Sequence, residues 1–428
     1  MPGLVVVADD LTGAADTGAC FASAGLATVI PLSGTGIPNA DVIVLSTDSR
    51  DMSAGDAAQV VTAAMARMTF ARRGGSKRGS GADAVLFYKK IDSALRGHPR
   101  EELLAAIEVT GARRTLVAPA FPAEGRTTVG GRQHIDGVPV ESSEFGGAGA
   151  VSDLMALFET DQGPPVHLLD LATLRGQPDA LWLLLHDDSD GIVVADAETD
   201  DDLVILSRAV DGGQFPLFCG SAGLARQLAL ALPLKRNLRP QSKVVRGSGP
   251  ILVVAGSHHE ATARQIQVLR QAGVPMVRPG QSLIDEPTTA LDSAVVEVAT
   301  HLAAGRSVVL TTLGLASCPL GGHVVATRLG QIVAAPDVSS QVGGLVLTGG
   351  DVAAAVSRAL GASALWLEGE ITPGIPRGML EGGRLHASQV VTKAGSFGDD
   401  NALLSCISYL SREATRRPRE SDRGDGRL

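Results

Sequence analysis

Cationic and acidic side chains stand close together in one ten-residue segment, residues 88–97, which reads YKKIDSALRG. Two lysines, Asp92 and Arg96 lie between an apolar run at residues 84–87 and a predicted helix at residues 100–108. In an open α/β sheet, ligands bind at the carboxyl ends of the strands. Cations mixed with a carboxylate suit a small anion that also carries hydroxyl groups. An ordinary strand-to-helix loop with Asp92 or Ser93 as a local cap explains the same residues, so this segment alone leaves both interpretations open.

A pair of acids, Asp9 and Asp10, follows an apolar run at residues 4–8 that predicts a buried strand. If the strand geometry persists, the two side chains point to opposite sides, so that one of them faces a ligand. One alternative is an N-cap cluster in which Asp10 or Thr12 caps the following helix. The doubled acid exceeds what a cap requires and favours a site that binds substrate hydroxyl groups.

Two arginines also follow predicted strands. Arg50 comes after the run at residues 42–46, where it could pair with a carboxylate ligand or lie in a surface turn. Arg126, with two threonines, ends a proline-flanked loop at residues 119–128. The prolines restrict the backbone of this loop, and Arg126 would offer donors to an anion. A structural crossover is the alternative interpretation of the loop.

Glycine-rich turns follow three predicted strands in the second half of the chain: GSHHE from residue 256, TGGD from residue 348 and KAGSFGDD from residue 393. Glycine permits close backbone approach, and a helix N-terminus favours negative charge. Asp351 could hold magnesium, act as a base on a hydroxyl group or cap the helix. The chain has neither GxxxxGK[ST] nor a dinucleotide GxGxxG. The two histidines in GSHHE are expected to be exposed at a helix start.

Composition limits the class of protein. The net charge of −9 and the 3% aromatic content argue against a nucleic-acid partner. The four cysteines form no CxxC pair, so neither a zinc site nor a disulfide framework is expected. No apolar run reaches the ~18 residues that a membrane span needs. We therefore expect a cytoplasmic protein with no membrane partner, and a homodimer is compatible with the sequence.

The alternation of predicted strands and helices over 428 residues indicates α/β architecture with two domains. Both sheets are expected to be mostly parallel. The predicted boundaries are an N-terminal domain at residues 1–235, a linker at 236–249, a C-terminal domain at 250–410 and a disordered tail at 411–428.

Six motifs occur in one order along the chain: VADDLTGAADTG, KKIDSALRG, VAPAFPAEGRTTVGG, GSHHEATARQ, LTGGDV and KAGSFGDD. In this order they resemble the four-carbon acid sugar kinase family, the tetronate kinases, from about residue 4 to about residue 410. The resemblance implies a sugar-acid-binding N-terminal domain, a nucleotide-binding C-terminal domain and an active-site cleft between them. It further implies transfer from ATP, with Mg²⁺, to the terminal C4 hydroxyl of an acid such as D-threonate or D-erythronate.

The motifs carry the expected site residues. The residues expected to bind the sugar acid are Asp9, Asp10, Lys90, Asp92, Arg96 and Arg126. The residues expected to bind the nucleotide are Ser257, Gly349, Gly350, Asp351, Gly395 and Ser396. Asp351 is the expected catalytic base or magnesium-side group, with Asp10 as the rival base.

The chain departs from the family pattern at Ala15, where Asn is usual, and at Val352, where Thr is usual. The KIDSALRG form favours the threonate and erythronate branch over the oxo-tetronate branch. A 3-oxo-tetronate or other sugar-acid kinase, and a non-catalytic sugar-acid sensor, remain the alternatives.

Overall fold

The protein is described here from a computed structural model, which falls into two compact units. Unit 1 comprises Met1–Pro31 and Gly36–Arg239, and unit 2 comprises Leu32–Thr35 and Pro240–Leu428. The predicted linker at 236–249, apart from its last residue, lies outside the described residues. The structure describes residues 3–34, 36, 38–73, 85–146, 150–176, 190–209, 217–232, 249–315 and 321–416.

Unit 1 contains a parallel sheet in the order β2-β3-β1-β4-β11-β5-β10-β9. A small antiparallel sheet has the order β6-β7-β8. The strands are β1 (Leu4–Ala8), β2 (Thr28–Pro31), β3 (Val42–Ser46), β4 (Leu86–Lys90), β5 (Arg114–Ala118), β6 (Arg126–Val129), β7 (Arg132–Ile135), β8 (Val138–Pro139), β9 (Val166–Leu169), β10 (Gly191–Ala195) and β11 (Leu217–Gly220).

The helices of unit 1 connect these strands. Helix α1 begins after Asp10, whose side chain accepts from the Gly13 N–H, and α3 begins with a proline. Gly111 ends α3 in the left-handed conformation at φ 64°. The described helices are α1 (Leu11–Ser23), α2 (Ala54–Arg73), α3 (Pro99–Thr110), α4 (Leu154–Phe158), α5 (Leu171–Gly176), α6 (Asp200–Ala209) and α7 (Ala222–Ala231), with short 3-10 helices at Pro122–Glu124 and Val140–Ser142.

The central strands of unit 1 confirm the prediction of a parallel α/β sheet. Every residue of β1 is buried, as expected for a strand that is covered on both faces. The hairpin β7–β8 turns at Asp136 and Gly137, which have φ values of 50° and 80°. Two consecutive positive φ values are typical of the Asp-Gly hairpin turn that the sequence indicates.

Strand β4 differs from the prediction. The apolar run at 84–87 predicts a strand that ends before the lysines, but β4 extends through Lys89 and Lys90. Successive side chains of a strand point to opposite faces of the sheet. The two lysines therefore do not share one loop, and they meet different partners. Pairing of β4 with β1 and β11 stabilises the longer strand.

Unit 2 contains a sheet in the order β13-β14-β12-β15-β18-β17-β16. Neighbours from β13 to β18 are parallel, whereas β17 is antiparallel to both β18 and β16. The strands are β12 (Ile251–Ala255), β13 (Met276–Val277), β14 (Val308–Thr311), β15 (Gly344–Thr348), β16 (Ala364–Glu370), β17 (Pro376–Glu381) and β18 (Gln389–Lys393).

The helices of unit 2 cover this sheet. The first and last of them pack with β12, β15 and β18 around a core that includes Ile266, Leu269, Leu403 and Cys406. The described helices are α8 (Glu260–Gln271), α9 (Ser282–Asp285), α10 (Pro287–Ala303), α11 (Gly322–Ala334), α12 (Pro336–Ser339), α13 (Gly350–Ala359) and α14 (Ala402–Arg416).

Helix α14 continues beyond the point at which the sequence predicts the tail to begin. It ends at Arg416 rather than at 410, and residues 417–428 lie outside the described part of the chain. Leu403, Cys406 and Leu410 are buried at helical spacing. These buried residues anchor the helix in the core of unit 2. Because extending an existing helix costs little free energy, the helix continues past Leu410.

Two further observations concern the described residues alone. Cys20, Cys219 and Cys406 are free and buried, and Cys318 falls in a range that is not described. No helix in the described ranges is both long and apolar enough to cross a membrane.

Candidate substrate and nucleotide sites

Arg50 binds three carboxylates at the carboxyl edge of the unit 1 sheet. Its Nε and Nη2 atoms donate to Asp9 at 2.7 and 3.1 Å, and its Nη1 atom donates to Asp10 at 2.8 Å. Asp92 lies 3.5 Å from Nη2. The sequence left Arg50 open between a ligand-pairing residue and a surface turn. The structure places it at the centre of the predicted acids.

Asp9 and Asp10 meet the same guanidinium, so the expectation that they face opposite sides is wrong. The physical reason is that β1 ends at Ala8, and the alternation of the strand does not continue into the acids. Burial alone would raise the pKa of Asp9, but Arg50 and two nearby lysines hold that pKa below its usual value. Asp9 is therefore a carboxylate at neutral pH.

Asp10 also caps helix α1, as the alternative interpretation proposed. One of its oxygens accepts from the Gly13 N–H at 2.7 Å, and the other accepts from the Thr12 hydroxyl at 2.6 Å and from Arg50. A β-carbon on Gly13 would lie only 2.7 Å from Asp10 Oδ1. Glycine is thus needed here for the close approach of the carboxylate to the helix start.

Asp92 forms a second charge cluster with Arg96. Arg96 donates to it from Nε at 3.1 Å and from Nη2 at 2.7 Å, and the Ala94 N–H donates at 2.9 Å. Burial would raise the pKa of Asp92, but attraction to Arg96 and Arg50 lowers it well below its usual value. The side chain of Arg96 remains 43% exposed, so part of its guanidinium is open to solvent or a ligand.

Lys90 points from the end of β4 toward the start of helix α1. Its ammonium donates to the Ile91 carbonyl at 2.9 Å, and a β-carbon on Gly13 would lie 3.3 Å from its Nζ atom. A lysine ammonium has three donors, so this one bond does not exhaust its capacity. Lys90 thus places positive charge beside Asp10 and the helix start.

Lys89 points to the other face and is paired with Glu102 on helix α3. Their charged atoms are 2.8 Å apart, and both side chains are fully buried. The second Glu102 oxygen accepts from the Ser49 hydroxyl at 2.5 Å. Ser49 in turn donates its N–H to the Asp9 carbonyl. Glu102 therefore links the ends of β1, β3 and β4, and it was not singled out from the sequence.

One signal in the sequence could have identified Glu102. It precedes Ala106 by four residues, so an apolar residue lies on the same face of the predicted helix and indicates that this face packs on the core; the structure confirms that Ala106 is fully buried. A glutamate on a core-facing position requires a buried partner. The doubled lysine of residues 88–97 supplies a candidate for that partner.

Arg126 and Arg96 lie against the same aromatic ring. The guanidinium carbons are 5.8 and 5.2 Å from the centre of the Phe145 ring. Arg126 is buried and donates to the Glu124 carbonyl. The structure thus brings Arg126, from the third motif, to the residues that follow β4. This agrees with the predicted grouping of the cationic residues.

The predicted nucleotide residues Ser257, Gly349 and Gly395 come together in unit 2. A β-carbon on Gly395 would lie 2.1 Å from the Ser257 hydroxyl, and one on Gly349 would lie 3.9 Å from the Ser257 N–H nitrogen. Gly349 has φ of 99° and precedes helix α13. Three turns from separate strands therefore meet where backbone groups can approach a ligand closely.

Gly350 and Asp351 form the first turn of helix α13, and Asp351 is exposed. Val352, which replaces the usual threonine, is buried, and a β-carbon on Gly256 would lie 2.4 Å from its Cγ2 atom. The valine packs under the turn that carries Ser257. Ser396 follows Gly395 in the same loop.

The histidines of GSHHE do not form a metal site with other described residues. His258 is exposed as expected, but His259 is only partly exposed, because it caps α8 by accepting from the Ala261 N–H at 3.2 Å. Throughout the described ranges, no group of three histidine, cysteine or acidic residues could hold a metal ion. A single carboxylate such as Asp351 remains compatible with Mg²⁺, which is commonly bound by one or two carboxylates together with substrate phosphates.

Comparison with known proteins assigns a role to each half of the chain. A family model described as the sugar-binding N-terminal domain matches residues 4–228. A second, described as the nucleotide-binding C-terminal domain, matches residues 252–403. The two family matches therefore define a protein with one sugar-binding and one nucleotide-binding domain.

Similarity to curated proteins extends over nearly the whole chain. A D-threonate kinase from Salmonella typhimurium is 32% identical, over 95% of this chain and 98% of the relative. A D-threonate kinase from Cupriavidus necator is 36% identical over 93% and 96%. A D-erythronate kinase from Heliobacterium modesticaldum is 31% identical over 96% and 97%. The chain belongs to the four-carbon acid sugar kinase family.

Solved structures show the same fold. One from Salmonella typhimurium LT2 has a TM-score of 0.74 at 22% identity and covers 94% of this chain and 98% of its own. A Haemophilus influenzae protein has a TM-score of 0.68 at 19% identity, with 96% and 100% covered. This chain thus shares its fold with proteins whose sequence identity to it, 19–22%, is well below that of the curated relatives.

We predict that Glu102→Gln destabilises the protein by about 3–5 kcal/mol, because the ammonium of Lys89 stays buried without its carboxylate. Glu101→Gln, on the same helix but partly exposed and paired with Arg100, is the matched control, with an expected cost of ~1 kcal/mol or less. Urea-induced unfolding of the whole chain at neutral pH measures both. An equal loss in the free energy of unfolding for the two variants would show that the buried Lys89–Glu102 pair does not contribute specifically to stability.

The lowered pKa of Asp92 predicts a pH dependence of stability. Its contribution is complete above the unfolded-state pKa of about 4 and is lost as pH falls further toward the folded-state value. Asp92→Asn should therefore be less stable than wild type at pH 7 and lose less stability on acidification. Melting temperatures between about pH 7 and pH 3 test this, with exposed Asp51→Asn as the control. Parallel wild-type and Asp92→Asn curves would contradict it.

Proposed function

We propose that the protein transfers the terminal phosphoryl group of ATP to the C4 hydroxyl of a four-carbon sugar acid, with D-threonate as the first candidate and D-erythronate as the second. The observation that carries this proposal is the 32–36% identity, over nearly the full length, to D-threonate kinases. The charge constellation around Arg50 supports it, because an acid with several hydroxyl groups needs both cations and carboxylates.

Unit 1 holds the sugar acid in this proposal. Lys90 and Arg96 receive its carboxylate, since both have donors that the described protein contacts do not exhaust. Asp10 and Asp92 accept from its hydroxyl groups. Arg126 adds positive charge beside Phe145, and Asp9 fixes Arg50, which keeps the acids in place.

Unit 2 holds the nucleotide. Ser257, the Gly349–Gly350 turn and the loop of Gly395 and Ser396 offer backbone and hydroxyl donors, and the proximity of Gly395 and Gly349 to Ser257 supports a common ligand. The N-terminus of α13 adds favourable potential for phosphates.

Asp351 is the proposed base for the C4 hydroxyl group, and Asp10 is the rival. Asp351 is exposed in the first turn of helix α13, beside the turns expected to bind the nucleotide, and Asp10 is the N-cap of helix α1. If Asp10 is the base instead, Asp351 would hold Mg²⁺ together with the phosphates of ATP, and the ion would neutralise phosphate charge. Phosphoryl transfer of this kind depends mainly on positioning and on charge neutralisation. The cleft between the domains, the cytoplasmic location and a homodimer remain predictions.

The proposal is tested by ADP release from Mg-ATP with a panel of acids: D- and L-threonate, D- and L-erythronate, and the 2- and 3-oxo-tetronates. D-Threonate should give the highest kcat/KM. A higher kcat/KM for 3-oxo-tetronate would instead place the protein in the oxo-tetronate branch of the family. Nucleotide binding without turnover on any acid would favour the non-catalytic sensor.

Arg96→Ala should raise KM for the sugar acid on the order of 30-fold, because a charge-assisted bond of about 2 kcal/mol is lost. KM for ATP should stay within about twofold of wild type. Arg100→Ala, at a partly exposed arginine four residues later, is the control and should leave both constants unchanged. Steady-state kinetics with each substrate varied in turn measures the effect. An equal rise of both constants in Arg96→Ala would contradict the assignment.

A further inference from the structure

Lys393, the last residue of β18, is fully buried, and its ammonium donates to the backbone. It donates to the carbonyls of Ala394, Gly395 and Phe397 at 2.7, 3.2 and 3.0 Å. A lysine ammonium has three donors. Each of these three carbonyls therefore receives one N–H, and the lysine organises the loop that follows its own strand.

Helix α8 holds the same loop from a second side. The Gln265 amide nitrogen lies 3.0, 3.0 and 2.9 Å from the carbonyl oxygens of Phe397, Gly398 and Asp399, so its two N–H groups are shared among three acceptors. The Thr262 hydroxyl donates to the Gly395 carbonyl at 2.7 Å. Both side chains are fully buried. Five carbonyl groups of this short loop therefore point toward three buried side chains, those of Lys393, Gln265 and Thr262.

The direction of these carbonyls fixes the direction of the N–H groups. In a trans peptide, the carbonyl of one residue and the N–H of the next point in opposite directions. Among the described residues there are no cis peptides. Because the carbonyls of Ala394, Gly395 and Phe397 point in, the N–H groups of Gly395, Ser396 and Gly398 point away from Lys393. Successive N–H groups that face outward form an anion-binding concavity.

The loop is also anchored to the other nucleotide-side turns. Gly395 packs so closely on Ser257 that a β-carbon would lie 2.1 Å from its hydroxyl oxygen. The Gly349 N–H donates to the Lys393 carbonyl at 3.0 Å. The loop therefore stands beside the two turns proposed to receive ATP, and its position relative to them is set by short contacts.

We propose that Lys393, Gln265 and Thr262 are positioning residues that orient the backbone N–H groups of Gly395, Ser396 and Gly398 toward the phosphates of the nucleotide. This inference rests on the proposed function, because it takes the ligand to be a nucleoside polyphosphate. Lys393 acts through the loop and does not touch the ligand. Its charge contributes by fixing peptide dipoles.

The test uses the full-length protein with three variants. Gln265→Glu replaces the donating amide with an acceptor that repels three carbonyls, Thr262→Val removes one donor at constant shape, and Lys393→Met removes the ammonium. Gln267→Glu is the matched control, since Gln267 is exposed on the same helix. Calorimetry with Mg-ADP gives the dissociation constant, and kinetics gives KM for ATP and for the sugar acid.

Gln265→Glu and Lys393→Met should each weaken Mg-ADP binding by about tenfold or more, and Thr262→Val by about threefold, as expected for the loss of bonds of roughly 0.7–1.5 kcal/mol each. KM for ATP should rise in parallel, while KM for the acid stays unchanged. A merely structural defect would instead lower the active fraction, and so kcat, and leave both KM values as they are. If Lys393→Met does not fold, the two helix variants decide the question.

The outcomes separate this inference from the proposed function. Wild-type affinity for Mg-ADP in Gln265→Glu and Thr262→Val would overturn the inference, even if the protein phosphorylates D-threonate. Weakened Mg-ADP binding in these variants would support the inference, even if the wild type phosphorylates no acid in the panel. That second result would contradict the proposed function alone.

Discussion

One guanidinium, that of Arg50, holds together the acidic end of unit 1. Asp9 and Asp10 follow β1, and Asp92 follows β4, so three carboxylates meet at one sheet edge and would repel each other if they were unpaired. Burial would lower the pKa of Arg50, but the three acids raise it well above its usual value. Since these charges already satisfy one another, the site is organised before a ligand arrives, and binding need not include the cost of assembling it.

Local patterns in the sequence predict the elements of this fold well. The apolar run at residues 4–8 coincides with β1, and the Asp136-Gly137 pair makes the hairpin turn that its residue types indicate. The pattern does not predict the end of β4, because two consecutive lysines are typical of a loop. Charged residues can continue a strand when each face supplies a partner, and Glu102 supplies one for Lys89. Such a partner is determined by tertiary structure, which periodicity does not encode.

The candidate sites were predicted unevenly for the same reason. The order of the motifs identifies residues that directly follow strands. The structure groups three of them, Asp9, Asp10 and Asp92, as expected. The supporting residues lie on helices, far along the chain from what they hold. Gln265 is more than 130 residues from the carbonyls to which it donates. The local sequence gives one sign of this role: Gln265 precedes Leu269 by four residues, so the glutamine lies on the apolar face of its helix.

The burial of Lys393 has a practical consequence for chemical mapping of the nucleotide site. Amine-directed reagents, including nucleotide analogues that carry an aldehyde or a sulfonyl fluoride, modify lysines whose amine can be reached. With three carbonyls around its ammonium and no exposed surface, Lys393 is shielded from them, as is Lys89 in unit 1. Chemical labelling of lysines would therefore not detect Lys393, although it positions the loop. In relatives with this fold, lysines that resist labelling should also be tested by mutation.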